Sequence, residues 1–128
     1  MKKLIAVLAV MFSVNAAAFT GTGNKDLDEA REFMRWQNDE EVKDLYKATY
    51  WLGLVSGASV VFDSPTYHYA ICYPENSSSL QIAEIAARYV IDNPSERAKG
   101  TEALIWVAHF EAFGFKDSDD CWEKKTKG

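Results

Sequence analysis

The chain is expected to be all-α: a small single-domain helical bundle of four to five helices, with one long loop at about residues 63–78 and one disulfide. Three observations predict this class. Apolar residues recur at helical spacing in successive stretches, the period of a helix face turned to a core. Helix start and stop signals separate those stretches, with Ser78 and Gln81, Asn93-Pro94 and Gly114 the clearest. The segment from Asp63 to Ser77 is the longest without a clear period, and it carries Cys72, one of just two cysteines.

Met1-Lys2-Lys3, the apolar run Leu4 to Phe12 and the small residues up to Ala18 have the three parts of a secretory signal peptide. The run is well short of the roughly 20 residues that span a bilayer, which disfavours a retained anchor. The expected organisation is a signal peptide at 1–18, cut after Ala18, and a helical domain at 19–128. Losing Lys2 and Lys3 with the leader takes the formal charge from −5 to −7. An acidic domain repels nucleic acid and anionic membrane surfaces and favours a basic protein partner, although solubility alone also accounts for the charge. All four tryptophans lie beyond the leader, so 110 residues hold enough aromatic area for a core.

Asn24 is placed to cap the first helix, whose opening turn holds Asp26 and Asp28. Leu27, Ala30, Phe33 and Met34, with Trp36 beside them, form its apolar stripe, and Asn38-Asp39-Glu40-Glu41 interrupts it. A second helix is expected from about Glu41 to Phe62. Leu45, Ala48, Leu52, Val55 and Ser59 mark one side, and Tyr46, Tyr50, Leu54, Gly57 and Val61 a neighbouring side. A helix apolar over so much of its circumference is expected to be the central one. Gly53 and Gly57, four apart, weaken it but permit close approach of another backbone, either in the monomer core or at a homodimer seam.

The loop follows, with Pro65, Pro74 and the cluster Tyr67-His68-Tyr69. Alternation of Tyr67, Tyr69, Ile71 and Tyr73 predicts a short extended piece around Cys72. Loops of this length are uncommon in compact domains and often functional. Ser78 with Gln81 fits a capping box and starts a third helix through Ile82, Ile85, Ala86, Tyr89 and Val90. Asn93-Pro94-Ser95-Glu96 is a further start signal, with proline at the first helical position. The last helix begins near Thr101 and runs to Phe113, where Gly114 ends it.

In an oxidising compartment two cysteines usually pair, so a Cys72–Cys121 disulfide is expected, with a nucleophilic thiol as the competing reading. A thiol nucleophile needs a base, and only His68 and His109 are present, neither in a recognisable catalytic setting. There is no metal-ligand spacing of His and Cys, no Gly-rich phosphate loop and no nucleophile elbow. His109 reads as a core or surface histidine, and His68 as a partner contact or an exposed side chain. The runs Asp39-Glu40-Glu41 and Asp117-Ser118-Asp119-Asp120 read as solvated faces. No catalytic residues, cofactor or metal are expected. A small cell-wall-acting enzyme using a carboxylate pair is the alternative reading.

The order of features resembles one family. A helix opens on Thr22-Gly23-Asn24, and a second carries Gly53-Leu54-Val55-Ser56-Gly57. Cys72-Tyr73-Pro74 and the cap with Gln81 follow, then Arg88-Tyr89-Val90, Asn93-Pro94-Ser95-Glu96-Arg97 and a helix ending in Glu111-Ala112-Phe113. From about Thr22 to Phe113 this pattern resembles the Rap/Tai family of periplasmic immunity proteins, and within it the Tai-like proteins that neutralise peptidoglycan amidase effectors of the type VI secretion system. Many of those relatives carry an extra cysteine pair joining the first two helices, where this chain has Trp51.

The resemblance implies a periplasmic, all-helical, often homodimeric protein that inhibits an NlpC/P60-like cysteine amidase by inserting a loop into its Cys-His cleft. It implies no chemistry of the inhibitor's own. On that reading Glu75, Asn76, Ser77 and Ser78 are the inserting residues, with Tyr67, Tyr69 and Tyr73 as flanking anchors. Two alternatives stay open: helix capping for Ser78, and core packing for the tyrosines.

Overall fold

The computed structural model describes residues 21–64, 69–116 and Cys121. The expected signal peptide at 1–18, together with Tyr67 and His68, lies outside the described residues. Among the described residues there are four helices, α1 (Leu27–Gln37), α2 (Leu45–Asp63), α3 (Ser79–Asp92) and α4 (Thr101–Phe113), with a 3-10 turn at Pro94–Glu96 between the last two. The all-α class is therefore as expected, and the proline start signal at Asn93-Pro94 yields only that single turn. Among the described residues no helix is long and apolar enough to cross a membrane.

α1 starts two residues later than an Asn24 cap implies. Asp26 takes the N-cap position, but its carboxylate accepts a hydrogen bond from the Thr101 hydroxyl at the start of α4 and caps nothing in α1. That buried pair belongs to a seam in which residues 21–24 run under the start of α4. Thr22 bridges Gly100, and the Gly23 and Asn24 amides donate to the Lys99 and Arg97 carbonyls. A Cβ on Gly23 would stand 2.4 Å from Leu104 Cδ1 and 3.0 Å from Arg97 Cα, so close approach requires glycine there.

α2 begins at Leu45, not at about Glu41, because Asp44 is its cap and accepts from the Lys47 amide at 3.3 Å. The acidic stretch before it stays non-helical and is held by a buried carboxylate. Glu32 accepts from the amides of Lys43 (2.9 Å) and Asp44 (3.3 Å) and pairs with Arg35. One carboxylate oxygen, Oε2, thus closes the α1–α2 connection, while Oε1 is held by Arg35 within α1.

The core is made by Ala30 and Phe33 of α1, Trp51, Val55, Ala58 and Phe62 of α2, the α3 stripe Ile82, Ala83, Ala86, Ala87 and Val90, and Leu104 and Ile105 of α4. α2 shares the centre with α3: each packs on the other three helices, and the fully buried alanines of α3 let its neighbours come close. Trp51 joins α2 to it, the indole N–H donating to the Ala83 carbonyl at 3.0 Å. The apolar excess of α2 stays outside the monomer core. Tyr46 is 76% and Val60 73% exposed, and a Cβ on Gly53 or Gly57 would meet nothing within 4 Å. Leu45, placed on the same side as Ala48 and Val55, is exposed although those two are buried.

Candidate functional site

The Cys72–Ser78 loop is anchored at both ends. At its root Ile71 forms an antiparallel bridge with Phe115, the Cys72 amide donates to the Gly114 carbonyl (2.9 Å), and the Lys116 amide donates to Ala70 (2.9 Å). The Ile71 amide also closes back onto the Phe62 carbonyl at the end of α2, at 2.8 Å. Cys72 and Cys121 are joined in a buried disulfide, with Cα atoms 5.7 Å apart. The short extended piece expected around Cys72 is this root, and the bridge covers it.

At the far end the capping box forms in full. The Gln81 amide donates to Ser78 Oγ at 3.1 Å, and the Ser78 amide donates to Gln81 Oε1 at 2.9 Å. Ser78 is thereby committed to starting α3, one of the two roles left open for it. Between root and cap, Pro74 to Ser77 make a turn in which the Ser77 amide (3.1 Å) and hydroxyl (2.7 Å) both donate to the Pro74 carbonyl. Glu75 and Asn76 are exposed at its tip, while Ser77 is half-buried.

The turn stands as a ridge between two open grooves of about 400 Å³ each. One is bounded by Gln81, Glu84, Ile85 and Phe113, the other by Ser59, Val60, Asp63 and Ile82. Carboxylates border both, Glu84 held by Arg88 at 2.8 Å and Asp63 by Lys116 at 3.2 Å. These groove walls went unnoticed in the sequence. Their signal is positional: Asp63 closes the helix before the loop, and Gln81, Glu84 and Ile85 follow the cap at i, i+3 and i+4.

The tyrosines separate. Tyr73 is 8% exposed and turned into the core, where its hydroxyl meets His109 Nδ1 at 2.7 Å, so packing is its role and it offers a partner almost no surface. Burial, with the Asp63 charge, pushes its phenol well above the usual tyrosine range, so it stays a hydrogen-bond donor. Tyr69 is 55% exposed and lies edge-on to Trp106, whose indole N–H donates to the Tyr69 carbonyl at 3.0 Å. It belongs to an aromatic cluster with Phe115, lining a separate groove that shares no residue with the two beside the tip. Glu75, Asn76 and Ser77 therefore remain together on the ridge, whereas Tyr69 and Tyr73 do not join them.

His109 is fully buried on α4, and its Nε2 lies 2.8 Å from the Ile82 carbonyl. Burial holds its pKa below the ordinary histidine value, only partly offset by that hydrogen bond. The other buried acids are structural, Asp26 on Thr101 and Glu32 on the α1–α2 connection. Among the described residues no group of His, Cys, Asp and Glu side chains is arranged to hold a metal ion. No family model, curated protein or solved structure matches this chain.

Proposed function

We propose that this chain is an exported, periplasmic immunity protein of the Tai type, which binds a type VI secretion amidase effector and blocks its Cys-His cleft with the 74–77 ridge. The observation that carries this reading is the ridge itself: a polar tip of Glu75, Asn76 and Ser77, fixed by a disulfide-backed root and a capped helix, with an open groove on either side. A protruding element fits a cleft, and the grooves leave room for the cleft's walls. Fixing the loop before binding lowers the conformational entropy lost in the complex. The acidic charge favours encounter with a basic effector and acts on the association rate more than on final affinity.

A homodimer belongs to the same proposal. The exposed face of α2 carries Tyr46, Tyr50, Gly53, Gly57, Val60 and Val61, and Lys47 is the one charged residue between Leu45 and Val61. An uncharged face with open glycines near its middle suits close packing against a second copy.

The test is co-purification with a Cys-His amidase encoded beside this gene, scored by protection of cells exporting both. Asn76→Arg together with Ser77→Glu is expected to abolish binding and protection while leaving the thermal melt nearly unchanged. Full protection by the double variant would remove the ridge from the interface. An amidase that neither binds nor is inhibited would remove the immunity reading.

A further inference from the structure

Tyr73 opens the loop, Ile82 lies in the first turn of the helix that closes it, and one buried imidazole joins the two. The Tyr73 hydroxyl is 2.7 Å from His109 Nδ1, and His109 Nε2 is 2.8 Å from the Ile82 carbonyl oxygen. A carbonyl oxygen can only accept, so Nε2 carries the ring proton, and Nδ1 of the neutral imidazole accepts from the hydroxyl. The two rings meet edge to face with centroids 5.3 Å apart, and Phe113 packs against both, at 5.6 and 6.2 Å.

We infer that Tyr73 and His109 are positioning residues for the 74–77 ridge: their hydroxyl–imidazole–carbonyl chain locks the loop's start to the helix at its end, so that the tip is presented in one conformation. The inference rests on the ridge being the partner-binding element. Packing alone does not explain the chain, because phenylalanine and leucine would fill the same space without burying polar atoms that must then be satisfied. Buried polar atoms satisfy one another in few geometries, and here those geometries set the distance between the two ends of the loop. The disulfide to Cys121, the Ile71–Phe115 bridge and the Ile71 amide on the Phe62 carbonyl fix the root to the chain beyond α4 and to the end of α2, and none of them reaches α3. The imidazole supplies the missing tie on the α3 side.

The groups bearing on that imidazole are few. The loop presents Tyr73, with the Asp63 carboxylate of α2 acting on the phenol behind it, and α3 presents the uncharged Ile82 carbonyl. A protonated ring would bury a charge and donate from both nitrogens, leaving the Tyr73 proton without its acceptor.

The experiment follows amide exchange at Ser77, Ser78 and Gln81 in the full exported protein with its disulfide intact. Tyr73→Phe keeps the ring and removes the tie. It is expected to speed exchange at these amides about five- to tenfold, with α1 and the first half of α2 unchanged. His109→Gln, which keeps an acceptor and a donor, is expected to preserve protection, and His109→Leu to lose it. Loop exchange unchanged in Tyr73→Phe, or speeded equally in every helix, would overturn the inference. So would His109→Gln loosening the loop as much as His109→Leu, since ring packing would then be the cause.

A second arm measures binding to the neighbouring Cys-His amidase in catalytically inactive form, where Tyr73→Phe is expected to weaken affinity by a similar factor. Equal affinity despite a loosened loop would refute positioning for a partner. An amidase that does not bind the natural protein would remove the immunity reading, and the exchange data would still decide whether the chain holds the loop.

Discussion

Glu32 shows how one side chain closes a connection. Burial pushes its carboxyl up, but the amides of Asp44 and Lys43 and the Arg35 guanidinium outweigh that, and the net shift is downward. A lowered carboxylate pKa contributes stability that is present above the unfolded value, near 4.5, and is lost as pH falls through the folded value. Glu32→Gln is thus expected to melt lower than the natural protein at pH 7, with the difference shrinking toward pH 3. Melts at both pH values check this, and a gap undiminished in acid would refute it. Gly114 is the other sensitive residue. Its φ of 77° and ψ of −173° lie where only glycine is comfortable, and its carbonyl receives the Cys72 amide. Gly114→Ala is expected to cost roughly 1–3 kcal/mol by denaturant unfolding, through backbone strain, since a Cβ there would meet no atom within 4 Å.

At the scale of elements, α2 and α3 share the centre with different side chains. α2 is apolar nearly all round, yet only the Ala48, Trp51, Val55, Ala58 and Phe62 stripe is buried, and α3 packs beside it largely with small side chains. Since a Cβ at Gly53 or Gly57 enters open space, Gly53→Ala with Gly57→Ala is expected to stabilise the monomer by about 1 kcal/mol per site. If the exposed α2 face is the dimer seam, the same pair weakens association. Sedimentation velocity and chemical unfolding separate the two effects, and a natural protein that stays monomeric at all concentrations would remove the dimer. The start of α3 has its own test: Ser78→Ala deletes half of the capping box and is expected to cost about 1 kcal/mol by denaturant unfolding.

At the scale of the whole molecule, the disulfide joins the loop root to the segment beyond α4 across a sequence separation of 49. Closing a loop of that length restricts the unfolded chain by roughly 4 kcal/mol on the chain-entropy model. Replacing Cys72 and Cys121 together with serine is expected to lose about 2–5 kcal/mol by denaturant unfolding, a large share for a domain this small. Protein purified without reductant should show no free thiol under denaturing conditions, and two would contradict the bridge. The outward helix face meets the groove beside the ridge at Val60, so Gly53 and Gly57 are the positions that test association, and Asn76 and Ser77 those that test the proposed effector binding.

By itself the sequence determined the all-α class, the four helical stretches, the Ser78–Gln81 cap, the Gly114 stop and the pairing of its only two cysteines. These are local or combinatorial: periodicity, caps and a choice of one partner need no knowledge of what packs where. Only the tertiary structure decided which apolar face is buried, because that depends on how closely helices approach, and alanines at 83, 86 and 87 are as fully buried as Trp51 and Val55. It decided likewise that Asp26 bonds Thr101 in preference to capping α1, and that Tyr73 turns inward while Glu75 and Asn76 stay out. Those outcomes join residues 36 to 75 positions apart, and no spacing rule along the chain brings them together.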